Sequence, residues 1–194
     1  WKALRPLLEE DAKALKEFDQ VRDGFEQAMD KQIQKMWAAK LGLKEYNSNL
    51  LEELSQLMIN SKVDYTIFFR ELSHIPNDLS ALKKSFYIQT SQQIDEQWQS
   101  WLQSWRDLLL NNGNSTETSK IMKLTNPKYT WREWLIAPAY QQAEEGNYSL
   151  VKELQEVLSH PYDEQSQAVE DKYYRLKPKS FFNAGGISHY SCSS

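Results

Sequence analysis

The chain has 194 residues, 40% of them hydrophobic, a net charge of −4 and a pI near 5.5; that length suits one domain with a full core. The acidic balance argues against a nucleic-acid footprint, and no segment approaches the ~20 apolar residues needed to span a bilayer. A single cysteine excludes an internal disulfide framework and a Cys-based zinc site within the chain.

With only six Gly and six Pro, the composition favours helices over a turn-rich β fold. The expected class is all-α, with about six helices in a bundle-like array and an extended C-terminal tail. The start at Trp1, without an initiator Met, is read as the start of an excised piece. Leu4, Leu7 and Leu8 around Pro6 are expected to close whatever precedes it.

From Leu15 the apolar residues fall at Leu15, Phe18, Val21, Phe25, Met29, Ile33, Met36, Trp37 and Leu41. Steps of three and four put them on one helical face, a core or inter-domain packing face, and Gly42 is expected to end the helix. Asn47-Ser48-Asn49 is a cap cluster, with Asn49 and Glu52 at capping-box spacing. The helix that follows carries Leu51, Leu54, Met58, Tyr65, Phe68, Phe69 and Leu72. Its stripe is interrupted at Ser61, which marks either a close helix–helix approach or a break before Asp64. Pro76 stops it, since proline has no N–H and restricts Ile75.

Leu79, Leu82 and Phe86 indicate a short helix. Between Ser91 and Leu110 the stripe of Ile94, Trp98, Trp101, Trp105 and Leu108 is the most regular in the chain. Three Trp on one face invite a ligand-stacking reading, but no basic run accompanies them, so a core is the better expectation. Asn111 to Thr116 reads as a flexible connection containing a formal glycosylation sequon at Asn114. Asn126 then reads as the cap of a helix with Pro127 in its first turn. Gly146 ends that helix, and a return helix carries Leu150, Val151, Leu154, Val157 and Leu158, completing an antiparallel hairpin. Beyond Gln165 no helical period survives. The division is therefore a helical domain at residues 1–164 and an extended tail at 165–194 that docks by Tyr173, Tyr174 and Leu176.

Chemistry is sparse in these residues. There is no G-x-G-x-x-G, Walker loop, H-E-x-x-H or nucleophile elbow, so no catalytic, cofactor-binding or metal residue is assigned and tight MgATP binding is not expected. His74 has no nucleophile or carboxylate at a recognisable spacing and reads as a loop or capping residue. Glu9, Glu10, Glu144, Glu145 and Glu153 read as solvated helix faces. Cys192, third from the last residue, is an accessible thiol of the kind that oxidises or exchanges, or an incidental tail thiol.

Several stretches carry a family resemblance. They are Asn126-Pro127-Lys128-Tyr129, Arg132, Leu135, Ala143-Glu144, Gly146-Asn147, Pro161-Tyr162-Asp163-Glu164 and the terminal Ser191-Cys192-Ser193-Ser194. Earlier, Lys40-Leu41-Gly42-Leu43, Leu50-Leu51, Leu54, Leu57-Met58, Asp64-Tyr65-Thr66 and Phe69-Arg70 follow in the same order. Together they resemble the C-terminal end of the selenoprotein O family, whose members have a protein-kinase-like fold and transfer AMP from ATP onto protein hydroxyls. The resemblance implies a catalytic part upstream of Trp1 that holds ATP and magnesium, with protein substrates and no nucleic-acid or membrane partner. It implies a cytoplasmic location in a bacterium and a mitochondrial one in a eukaryote. It also implies a redox role for Cys192, a position that is selenocysteine in many members. Two departures stand out: Pro138 within a helix, with a kink expected between Trp134 and Pro138, and Lys177-Pro178-Lys179-Ser180-Phe181-Phe182 where a proline-tryptophan element is common. The alternative reading is a non-catalytic helical interaction module that binds a partner protein by its aromatic faces.

Overall fold

The computed structural model describes residues 1–110 and 115–182. Among them are eight α-helices, three short 3-10 turns and no named strand, so the fold is all-α. The helices are α1 (Ala12–Lys40), α2 (Ser48–Asn60), α3 (Tyr65–Leu72), α4 (Gln92–Leu110), α5 (Ser115–Thr125), α6 (Glu133–Glu144), α7 (Ser149–Ser159) and α8 (Gln167–Tyr173). No helix of the described residues is long and apolar enough to cross a membrane.

α1 is one continuous helix, roughly 43 Å long at 1.5 Å per residue. Asp11 caps it by accepting from the amides of Lys13 and Ala14, and Gly42 leaves it at φ +67°. Asn47, rather than the pair Asn49 and Glu52, caps α2 by accepting from Leu50. At Ser61 both readings of the interrupted stripe hold. The chain turns there, with Lys62 at φ +48°, and Ser61 is buried, its hydroxyl accepting from Trp98 Nε1 at 2.8 Å. α3 restarts on Asp64, whose carboxylate accepts from the Ile67 amide. It stops before buried Pro76, and Ile75 takes φ +52°, a costly conformation for a β-branched residue.

The three tryptophans of α4 are core. Trp98, Trp101 and Trp105 are buried, and each indole N–H has a partner: Ser61 Oγ, the Leu50 carbonyl at 2.9 Å and the Leu41 carbonyl at 2.8 Å. Those acceptors lie in α2 or at the C-terminal ends of α1 and α2, so one row of rings sets the spacing of three helices. Around it lie Leu54, Phe68, Phe69, Leu72, Leu82, Leu102 and Met122. A second core holds Ile67, Tyr129, Ala139, Leu154, Val157, Tyr173 and Tyr174. α3 stands between the two, giving Phe68, Phe69 and Leu72 to one and Ile67 to the other.

The structure departs from the sequence reading in the C-terminal half. Ser115 and Thr116, read as connection, open α5, which the apolar period did not reveal; Asn111 to Asn114 lie outside the described residues. Asn126 follows the end of α5 and does not cap α6, which begins seven residues later, after an irregular run in which Pro127 sits. The α6–α7 hairpin is present. Gly146 has φ +82°, with the amides of Gly146 and Asn147 returning to the carbonyls of Ala143 and Gln142. α6 runs past Pro138 as one helix. The stretch from Gln165, read as extended, contains α8, capped by Ser166. Tyr173 and Tyr174 are buried in the second core and Leu176 packs against it.

Candidate functional site

Among the described residues the stripe on α1 is covered at its two ends, by Trp1 over Phe18 and by the core around Ala38 and Lys40, and is uncovered between them. Ala38 and Lys40 are buried, whereas Val21 is 70% exposed, Phe25 62%, and Met29, Ile33 and Met36 more than two-fifths. At the N-terminal end Trp1 stacks on Phe18 at 6.0 Å, and Arg5 pairs with Asp19 at 2.8 Å, so the entry is folded back and fixed. Single exposed apolar residues are ordinary, but five in register on one helix form a surface that water does not favour. Beyond Met36 the stripe reaches Trp37, which lines an apolar cavity of about 380 Å³ with Leu51, Met58, Val63, Tyr65 and Phe69.

At the C-terminal end of α1 lies a buried polar knot. Arg70, 1% exposed, donates through Nη1 to the carbonyls of Lys123 (3.0 Å) and Asn126 (3.2 Å), and through Nη2 to the carbonyl of Tyr162 (2.9 Å) and Oε1 of Glu164 (2.6 Å). Lys128 bridges Glu164 at 2.6 Å and Glu170 at 2.7 Å, and its amide donates to the Pro161 carbonyl. Burial disfavours the charge on Glu164, but hydrogen bonds from Lys128 and Arg70 and their charges outweigh it and hold the carboxyl at about 2. Arg132 forms a two-pronged pair with Asp64 at 2.8 and 2.9 Å, and Asp64 also accepts from Tyr87. Lys40 is buried, and among the described residues no carboxylate pairs with it. Its ammonium donates to Asn126 Oδ1 at 2.8 Å and lies over the rings of Phe69 and Tyr65, and burial lowers its pKa to about 8. Asn126 Nδ2 returns to the Lys40 carbonyl and Ser73 Oγ.

These are the residues that carried the resemblance, and the structure brings them together. Arg70, Asn126, Lys128, Pro161, Tyr162 and Glu164 form one network, and Asp64 with Arg132 a second. Among the described residues no group of three His, Cys, Asp or Glu is placed to hold a metal ion. The network forms a clasp that ties the end of the hairpin and α8 to α3 and the end of α1. Apart from reading Asn126 as a helix cap, sequence reasoning gave these side chains no role, because partners as far apart as Arg70 and Glu164 leave no local spacing to read. His74 is a loop residue, as expected, exposed as a whole but with its imidazole partly desolvated against the neighbouring helices. Glu153 is not merely solvated, since it pairs with Lys172 at 2.7 Å. Cys192, the expected redox residue, lies outside the described residues.

A protein-family profile described as protein adenylyltransferase SelO matches residues 2–159. The chain is 32% identical over 182 residues to the protein nucleotidyltransferase YdiU of Aromatoleum aromaticum, covering 89% of this chain and 34% of that protein. It is 34% identical over 200 residues to its counterpart in Xanthomonas axonopodis pv. citri and 31% over 206 residues to that of Vibrio parahaemolyticus, in each case covering 99% of this chain and 38% of the relative. The chain thus spans a little over a third of the length of the curated relatives it matches. On the extent of the family match, the chain belongs to the SelO family.

Proposed function

We propose that this chain is the C-terminal helical domain of a protein that transfers AMP from ATP to Ser, Thr or Tyr hydroxyls of other proteins, and that the exposed stripe of α1 is the seat of the kinase-like catalytic domain. The observation that carries this reading is the α1 face itself. Val21, Phe25, Met29, Ile33 and Met36 are aligned and uncovered in a chain that corresponds to a little over a third of its relatives. A catalytic domain folded against it would remove that apolar surface from water, at ~25 cal/mol per Å².

In this reading the clasp keeps α1 rigid relative to the two cores, so the seat is preorganised. ATP and magnesium belong to the catalytic domain, where positioning and charge stabilisation of phosphoryl chemistry occur. Cys192 is its redox element. With no second cysteine in this sequence, its disulfide partner lies in the catalytic domain or in another molecule. The location is the cytoplasm of a bacterium or, in a eukaryote, the mitochondrion.

The test is incorporation of labelled AMP from ATP into protein by the full-length parent and by the 194-residue chain alone. Transfer by the parent and none by the chain is expected. A parent without transfer, given intact folding, overturns the reading. Cys192→Ser in the parent is expected to abolish the response of transfer to dithiothreitol; a response equal to wild type removes the redox role.

A further inference from the structure

Between the α3 stop, the end of α4 and the start of α5 lies a cavity of about 550 Å³, within the range of small-molecule sites. Among the described residues its charged lining is of one sign: Arg106, Lys120 and Lys123 face it, together with His74, and no carboxylate of those residues lines it. Nearby carboxylates are engaged elsewhere: Glu164 by Arg70 and Lys128, and Glu71 by Lys84 at 2.8 Å. Among the described residues neither Arg106 nor Lys123 has an ion-pair partner, and Lys120 has only Glu117 at 4.0 Å. Arg106 and Lys123 thus line one cavity without a paired carboxylate among the described residues, with solvent-exposed Lys120 at its rim, an arrangement that favours the entry of an anion.

Arg106 is also oriented. Its Nη1 donates to the Asn77 carbonyl at 2.9 Å, which spends one of five N–H groups and fixes the plane of the rest. Ile75 and Leu109 give the cavity an apolar wall. We propose that this cavity binds a phosphate-bearing anion, with Arg106 and Lys123 as the principal donors, Lys120 at the rim and the apolar wall available to an organic substituent. The site is separate from the α1 seat and does not rest on the adenylyltransferase reading. Burial, with the charge of Lys123 second, holds the His74 imidazole below its ordinary value. An anion beside it favours the protonated imidazole and raises that value, which gives a reporter within the site.

The experiment is a titration of the isotopically labelled 194-residue chain with inorganic phosphate and with AMP, at constant ionic strength maintained with sodium chloride, followed by nuclear magnetic resonance. Saturable shifts at His74 and along α5 are expected, with dissociation constants on the order of 1 mM and an upward shift of the His74 titration. Arg106→Gln with Lys123→Ala should weaken binding by about tenfold or more, the loss of charge-assisted bonds. Should that double variant lose its fold by thermal melting, Lys120→Glu at the exposed rim carries the test, with about threefold weakening expected. Tighter binding of AMP than of phosphate identifies an organic phosphate as the ligand, and equal affinities identify phosphate itself. Shifts reproduced by chloride alone, the absence of saturation by either probe, or unchanged affinity in the folded variants would overturn the proposal.

Discussion

Replacing Arg70 by Met tests whether the clasp holds the two cores together. Methionine keeps much of the apolar stem and removes the guanidinium, leaving the carbonyls of Lys123, Asn126 and Tyr162 without their donor. The ion pair with Glu164 contributes less than its 2.6 Å suggests, because that carboxylate side chain is 54% exposed and screened by water. The larger loss is the set of one buried and two partly buried carbonyls around a guanidinium that is 1% exposed, and removing one member of such a network costs about 3–5 kcal/mol. Against a typical total of ~5–15 kcal/mol that is a large fraction, and for a chain of this size it corresponds to a fall in Tm of roughly 6–20 °C. Urea unfolding followed by tryptophan fluorescence measures it, since Trp98, Trp101 and Trp105 report the first core. Lys120→Ala, which removes an exposed pair with Glu117 at 4.0 Å, is the control and should stay within about 0.5 kcal/mol of wild type. An Arg70→Met loss below about 1 kcal/mol would refute the clasp.

Three further outcomes follow from the same geometry. Glu164 is held at about 2 in the fold against 4.5 ordinarily, so its contribution is intact above 4.5 and is lost as pH falls towards about 2; Glu164→Gln should flatten that part of the acid unfolding curve. Lys40 runs the other way. The unfolded lysine keeps its proton up to 10.5 while the folded one releases it from about 8, so the unfolded state binds more protons between those values and stability rises with pH. The gain from pH 7.5 to 9.5 should be smaller in Lys40→Met than in wild type when urea midpoints are compared, and an equal gain contradicts the assignment. Gly42→Ala places a Cβ 2.7 Å from Met122 Sδ and 2.8 Å from Thr118 Cγ2 at a backbone φ of +67°; a loss of about 2 kcal/mol or more in thermal unfolding is expected.

Legibility in the sequence followed the length and regularity of each apolar stripe. α1 and α4 were readable because residues such as Phe25 and Trp101 repeat at helical spacing over many turns. α5 escaped because Met122 is its only buried residue and an Asn- and Gly-containing run precedes it. α8 spans seven residues, too few for a period, and is held by Tyr173 and Tyr174 reaching into the second core. Asn126-Pro127 matches a helix start by local rules, yet Asn126 is spent on Lys40 and Ser73, a tertiary demand that no local rule contains. The α1 face shows the limit in the other direction. Its period fixed which residues share a side, and only the structure revealed that this side is uncovered.

That uncovered side is the centre of the functional reading. A photo-cross-linking side chain placed at Phe25 in the full-length parent tests it, with the adducts mapped by mass spectrometry and a second probe at exposed Tyr148, away from the stripe, as the control. Adducts from position 25 to residues upstream of Trp1 within the same molecule are expected, with none from position 148. Adducts from position 25 confined to a second copy of the chain, or absent while the protein is folded, would contradict the docking of a catalytic domain on α1.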